Sequence, residues 1–180
     1  MDTKNSVRNE FWDYLSQNQK DLLLEGDYLI NNVISSCPYK FKDYSFLVFP
    51  YAKAYEGYLK TLFKDIGFIS HLDYISDHLR LGKLLSPFLM VRLGEKSLYK
   101  KIINNAGKEL AEEIWMTWKG GRNQIFHYFP HNLKSISFEE SQKIITQITQ
   151  TMEKTHQSLI QLNPKSKFQM SNQIQIPNIK

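Results

Sequence analysis

The chain has 180 residues, 42% of them hydrophobic, which fits one globular domain with a single core and argues against global disorder. A net charge of +5 and a pI near 9.1 suit a polyanionic partner such as a nucleic acid, although a basic surface can also serve solubility alone. The single cysteine, Cys37, excludes an internal disulfide and a cysteine-built zinc site.

Hydrophobic periodicity predicts two long amphipathic helices in the first third of the chain. The first covers residues 9–35, and an interruption is expected near Gly26. Residues 36–43 read as a loop. The second helix covers residues 45–66, where Pro50 is tolerable only near the first turn or as a kink.

Shorter helices are expected in the middle of the chain, before one long helix near its end. Residues 70–106 are divided by glycine and proline into short apolar groups, which predicts short helices. Residues 107–119 predict a further helix that stops at Gly120-Gly121. Residues 137–140 have the spacing of a capping box, and a long amphipathic helix is expected to follow them to about Asn163.

These elements predict an all-α fold, an up-and-down helical bundle formed by residues 1–163. Residues 164–180 are rich in Gln, Asn and Lys and are expected to form a flexible or strand-like tail. The sequence has no Walker pattern or glycine-rich phosphate loop, which argues against nucleotide hydrolysis. Because it also has one cysteine, no apolar signal core and no run of about 18 apolar residues, we expect a cytoplasmic protein that avoids the membrane.

The strongest candidate for chemistry is a histidine that follows an arginine by five residues. The imidazole of His127 can donate and accept protons near neutral pH. If a helix begins after Gly121, Arg122 lies in its first turn, where free amides already favour a phosphate. Asn123 would then share a helical face with His127 and could orient its ring.

This set of residues matches the needs of RNA cleavage. The 2'-hydroxyl of the substrate attacks the phosphorus, a histidine moves protons, and cations stabilise the negative charge of the transition state. No metal or cofactor is required. An arginine and a histidine at this spacing also arise often by composition, so a solvated Arg122 and a structural His127 remain the alternative.

The run from Arg122 to His127 resembles the signature of the HEPN superfamily, small all-helical domains that include many metal-independent ribonucleases of toxin-antitoxin and CRISPR systems. Residues 49–60 are similar to the catalytic domain of RNase LS toxins. The resemblance implies that Lys53 and Glu56, on the earlier helix, join the motif, and on this interpretation Glu56 faces His127, where it could position or tune the imidazole. Lys53 departs from the family if its basic residue is Arg, because Lys cannot form the same bidentate fork.

The resemblance also implies partners: an RNA substrate, a second copy of the chain with the site at the interface, and a protein antitoxin. One HEPN branch is neutralised by modification of a tyrosine two residues after the motif histidine, where this chain has Phe129. We therefore expect an antitoxin that binds and masks the site. The alternative is a non-catalytic HEPN-like module that binds RNA or a protein.

Three simpler interpretations compete with functional ones. Glu56 and Lys60 have the i,i+4 order of an ordinary solvated helix pair. The histidines and aspartate between residues 71 and 78 lack a convincing third metal ligand and are interpreted as a polar surface cluster. The tyrosines of the second helix are interpreted as core residues, in preference to a surface on which bases stack.

Overall fold

A computed structural model describes residues 10–127 and 135–163 of the chain. These residues are mostly helical and contain no strand, which confirms the all-α prediction for them. The predicted tail at 164–180, and Phe129 after the motif, lie outside the described residues. In the described part, no helix is both long and apolar enough to cross a bilayer.

Nine α-helices lie wholly within the described residues, and the short ones between residues 70 and 106 agree with the sequence prediction. They are α1 (Gln17–Tyr28), α2 (Ser45–Asp65), α3 (His71–Ile75), α4 (Leu81–Leu84), α5 (Met90–Leu93), α6 (Leu98–Ala106), α7 (Lys108–Trp118), α8 (Gln124–Phe126) and α9 (Phe138–Leu159). Two π-helical segments extend α1 and α7, at Leu29–Ile34 and Lys119–Asn123. Three 3-10 segments are Pro87–Leu89, Gly94–Lys96 and Ile160–Leu162.

Helix α2 forms the centre of the core and packs against α1 and α9. Its tyrosines Tyr51, Tyr55 and Tyr58 are at most 2% exposed, so their interpretation as core residues is confirmed. The Tyr55 hydroxyl donates a hydrogen bond of 3.2 Å to the carbonyl of Ile114 and so ties α2 to α7. Pro50 lies inside α2 without ending it.

Helix α1 runs antiparallel to α2. Near the start of α1, the Gln19 amide donates to the Thr61 hydroxyl, 3.3 Å away and close to the end of α2. Near the end of α1, the Asp27 carboxylate accepts a hydrogen bond from Tyr51 in the first half of α2. The two helices therefore pass each other in opposite directions along their length.

Helix α9 runs parallel to α2 and antiparallel to α7. The residues that precede α2 and α9 meet, because the Tyr44 amide donates a 3.0 Å hydrogen bond to the Ile136 carbonyl. The hydroxyls of Thr117 and Thr151 lie 2.9 Å apart between α7 and α9. The long helices α1, α2, α7 and α9 thus alternate in direction along the chain, as in an up-and-down bundle.

The interruption expected in the first helix is found at a different residue. Residues 10–14 are also helical, and Ser16 then caps α1 with a capping box. The break in the helix therefore comes just before Gln17 and not at Gly26. Gly26 lies inside α1, where an added Cβ would stand 2.5 Å from the Tyr51 ring. The glycine is required by the close approach of α1 to α2, and the prediction of a break there was wrong.

Candidate functional site

The backbone that carries the arginine motif is a wide helical turn. Residues 119–123 continue α7 as a π-helix, so the prediction that Gly120-Gly121 ends the helix was wrong. Gly121 allows this turn to lie against α9, because an added Cβ would stand 3.0 Å from the Ile148 Cδ1. The Gln124 amide bonds to the Lys119 carbonyl, so Arg122 does not stand at the start of a new helix, where amides would be free for a phosphate.

Arg122 extends from this turn to α2. Its Nη2 lies 2.8 Å from the Glu56 Oε2, which joins the motif to the earlier helix that the resemblance singled out. Its guanidinium carbon lies 5.0 Å from the centre of the Trp118 ring, within range of a cation–π interaction. The side chain remains 38% exposed, so a ligand can reach it from the solvent.

Glu56 holds two cations. Besides Arg122, its other oxygen lies 3.1 Å from the Lys60 ammonium, one helical turn along α2. The ordinary i,i+4 pair and the contact with the motif are therefore both present. The Glu56 side chain is only 22% exposed, which reduces solvent screening of these charges.

Lys53 is exposed on α2, one helical turn before Glu56. Lys53, Glu56 and Lys60 line a surface groove of about 540 Å³, which Tyr74 closes from the side of α3. This groove, called the α2 groove below, carries two lysines beside one carboxylate. Lys53 thus shares a surface with Glu56, whereas Arg122 reaches Glu56 from α7.

Asn123 and His127 do not share a helical face. Asn123 is the last residue of the π-helix, and the following helix α8 ends at Phe126. His127 has extended backbone angles, with φ of −105° and ψ of 128°, and is exposed. The i,i+4 argument for Asn123 as an orienting residue therefore does not apply, because the helix ends one residue too early.

Trp118 is a residue of this site that the sequence reasoning did not include. It is 2% exposed, and an added Cβ at Gly82 would stand 2.5 Å from its Nε1. The ring is thus fixed between α4 and Tyr55, whose pKa is raised well above its ordinary value by burial. The four-residue spacing from Trp118 to Arg122 would have indicated this contact if the helix had been expected to continue.

An exposed aromatic pair lies beside the motif. The rings of Phe49 and Phe126 meet edge to face at 5.6 Å, and the two residues are 53% and 38% exposed. Large apolar residues exposed together often mark an interaction surface.

Two further observations bear on the chemistry of the site. Among the residues that the structure describes, no three His, Cys, Asp or Glu side chains are close enough together to hold a metal ion. Comparisons with protein-family models, with curated proteins and with solved structures find no match to the chain.

Proposed function

We propose that this protein is a metal-independent endoribonuclease of the HEPN type, acting as the toxin of a toxin-antitoxin or phage-defence system. The observation that carries the proposal is the ion pair between Arg122 and Glu56. These residues are 66 positions apart in sequence, and the resemblance names both. An exposed Arg122 without a partner would have favoured the simpler interpretation.

The guanidinium can bind a phosphate while it remains paired with Glu56. Arginine has five N–H donors, and the contact with Glu56 is made through Nη2, so donors on the other nitrogens remain for phosphate oxygens. The Trp118 ring supports the guanidinium, and Glu56 fixes its direction. Arg122 is in this way oriented before substrate binds, which lowers the cost of ordering it.

The proposed reaction is an internal transesterification. The substrate's 2'-oxygen loses its proton and bonds to the phosphorus, the bond from phosphorus to the 5'-oxygen breaks, and the 5'-oxygen gains a proton. His127 moves these protons, and Arg122 and Lys53 neutralise the charge that develops on the phosphoryl oxygens. Glu56 is a positioning residue that acts through Arg122. The products are a 2',3'-cyclic phosphate and a 5'-hydroxyl.

We further propose a homodimer with the motif at its interface, and a protein antitoxin that binds and masks the site in the cytoplasm. The exposed pair of Phe49 and Phe126 supports an interface here, because it places apolar surface next to the motif. An antitoxin that covers the same surface would block both RNA access and dimer contacts.

The test is cleavage of single-stranded RNA by the purified chain in EDTA, with product ends identified by mass spectrometry. We expect cyclic phosphate ends, and a rate at least about a hundredfold lower for His127→Ala and Arg122→Ala. Matched controls are His71→Ala and Arg92→Ala, which change exposed residues of the same types elsewhere.

Glu56→Gln separates positioning from catalysis. It removes the charge that orients Arg122 but removes no hydrogen-bond donor to the phosphate, so KM should rise more than kcat falls. Glu56→Asp, which keeps the charge, should restore part of the lost kcat/KM. Equal cleavage by wild type and His127→Ala would refute the proposal. RNA binding that depends on Arg122, without cleavage at any enzyme concentration, would favour the non-catalytic module.

A further inference from the structure

A second and larger groove lies on the other side of α3. It has a volume of about 860 Å³ and is formed by the loop before α3, the segment 76–84 and the residues before and in α6. Four cationic side chains line it, namely Arg80, Lys83, Lys96 and Lys101. We call it the basic groove.

The positive charge of the basic groove is only partly neutralised by its own carboxylates. Glu95 lines the groove but forms its ion pair with Lys100, which does not line it. Asp73 accepts hydrogen bonds from the amide and hydroxyl of Ser70, and these, with smaller contributions from Lys96 and Lys101, hold its pKa below the usual range. Both acids are thus engaged with residues other than Arg80 and Lys83.

Two of the four cations, Arg80 and Lys101, are held in place by uncharged groups. The Arg80 guanidinium donates a 2.7 Å hydrogen bond to the Asp77 carbonyl, and the Lys101 ammonium donates to the Phe68 carbonyl. Within the described parts of the chain, none of the four cations forms an ion pair. Cations that are anchored by carbonyls keep their charge available to an anion.

The basic groove adjoins the α2 groove. Two consecutive residues of α3 line different grooves: Asp73 lines the basic groove, and Tyr74 lines the α2 groove. The Lys64 ammonium, which forms an ion pair with Asp65, lies at this boundary, 4.7 Å from the centre of the Tyr74 ring. Cationic side chains therefore lie on both sides of α3, where Lys60 and Lys64 are paired with carboxylates and the four cations of the basic groove form no ion pair within the described residues.

We propose that the basic groove binds the phosphodiester backbone of single-stranded RNA. A groove lined by spaced cations follows a flexible backbone without reading bases, whereas a compact phosphate site would concentrate its donors at one point. The choice of RNA among polyanions rests on the proposed function. The binding of RNA in the groove is a separate property, and it holds whether or not His127 cleaves.

The experiment measures binding of a fluorescent 2'-O-methylated RNA oligonucleotide, which has no 2'-hydroxyl and cannot be cleaved by the proposed reaction. The groove variant Lys83→Gln/Lys96→Gln removes two cations that line the groove. The matched control Lys108→Gln/Lys143→Gln removes two exposed cations that do not line it. Both variants lose the same charge, so a general effect of net charge changes both equally.

We expect affinity for the RNA at about 0.1 M salt to fall roughly tenfold or more in the groove variant and little in the control. The slope of log affinity against log salt should become shallower by about 1.4 in the groove variant, since each phosphate contact with a single strand contributes about 0.7. Equal affinities of the two variants would overturn the groove as the RNA site, and so would binding to anionic phospholipid vesicles without binding to RNA.

A second outcome concerns the proposed function alone. If wild type binds the RNA through the groove but leaves ordinary RNA intact, the groove is supported and the ribonuclease proposal fails. If ordinary RNA is cut at equal rates by both variants and their affinities are equal, the groove fails and the ribonuclease proposal stands.

Discussion

His156 makes the stability of this protein depend on pH in a way that can be calculated from its surroundings. It lies on α9, 5% exposed, against the rings of Phe11 and Tyr14, and its Nδ1 has no hydrogen-bond partner in the described residues. Burial among aromatic rings lowers the pKa of His156 from 6.5 to about 4. The folded protein therefore keeps this ring neutral.

The sign follows from proton binding by the unfolded chain. Between pH 6.5 and about 4 the unfolded chain binds a proton at His156 and the folded protein does not, so acid favours unfolding. The contribution of neutral His156 to the free energy of unfolding is complete above pH 6.5, decreases as the pH falls, and is lost by about pH 4. A shift of this size corresponds to about 3 kcal/mol, a large part of a typical free energy of unfolding.

The assay is urea unfolding of the whole chain at several pH values from 7.5 to 4.5, followed by circular dichroism. His156→Leu removes the titrating group and leaves an apolar side chain of similar size, so the loss of stability between pH 6.5 and 4.5 should shrink by about 2 to 3 kcal/mol. His71→Leu, at an exposed histidine, should leave the pH dependence of wild type. An unchanged pH dependence in His156→Leu would refute the calculation.

Two further predictions concern the surroundings of the motif. Gly82→Ala places a Cβ 2.5 Å from the Trp118 Nε1, so thermal unfolding should show a loss of about 1–3 kcal/mol together with slower RNA cleavage. Gly120→Ala, whose added Cβ meets no described atom within 4 Å apart from its own stretch of helix backbone, should cause neither effect. Phe49→Ser/Phe126→Ser should shift the sedimentation of the proposed dimer towards monomer, whereas Phe88→Ser, at a residue that is 84% exposed, should not. A monomeric wild type would contradict the dimer itself.

The fold was predictable where local sequence signals agree with packing. The capping box at Ser137 starts α9 as expected, since Ser137 and Glu140 cap each other's backbone amides. The stripe of α2 tyrosines was interpreted as core and is buried. In both cases the signal depends on neighbours within a few residues, and tertiary contacts strengthen it.

Glycine was the signal that failed, and it failed twice for the same reason. Gly26 and Gly121 were interpreted as helix breakers, but each lies inside a helical segment where another helix approaches closely. Glycine is favoured both in turns and where another helix packs closely, because it has no Cβ. The sequence around the glycine does not distinguish these two cases, whereas the residue that packs against it does. That partner, Tyr51 or Ile148, is distant in sequence.

The geometry around the candidate residues could not be predicted from the sequence. The ion pair of Arg122 with Glu56 was not predicted, because the sequence placed Glu56 opposite His127. The proposed anion site at a helix start and the shared face of Asn123 and His127 both required a helix boundary at Gly121. Because the π-helix removes that boundary, Arg122 reaches α2 through its side chain. The role of Trp118 follows from the same continuity.

Stability alone does not explain this arrangement. A partly exposed ion pair such as Arg122–Glu56 contributes at most about 1 kcal/mol, and Gly120, which no close packing contact requires, costs about 1 kcal/mol relative to alanine. A π-helical turn also gives up regular α-helical hydrogen bonding, and such turns occur frequently at functional sites. What the turn does provide is a half-exposed guanidinium held between Trp118 and Glu56, with donors left for an anion. This geometry is the one that the proposed contact of Arg122 with an RNA phosphate requires.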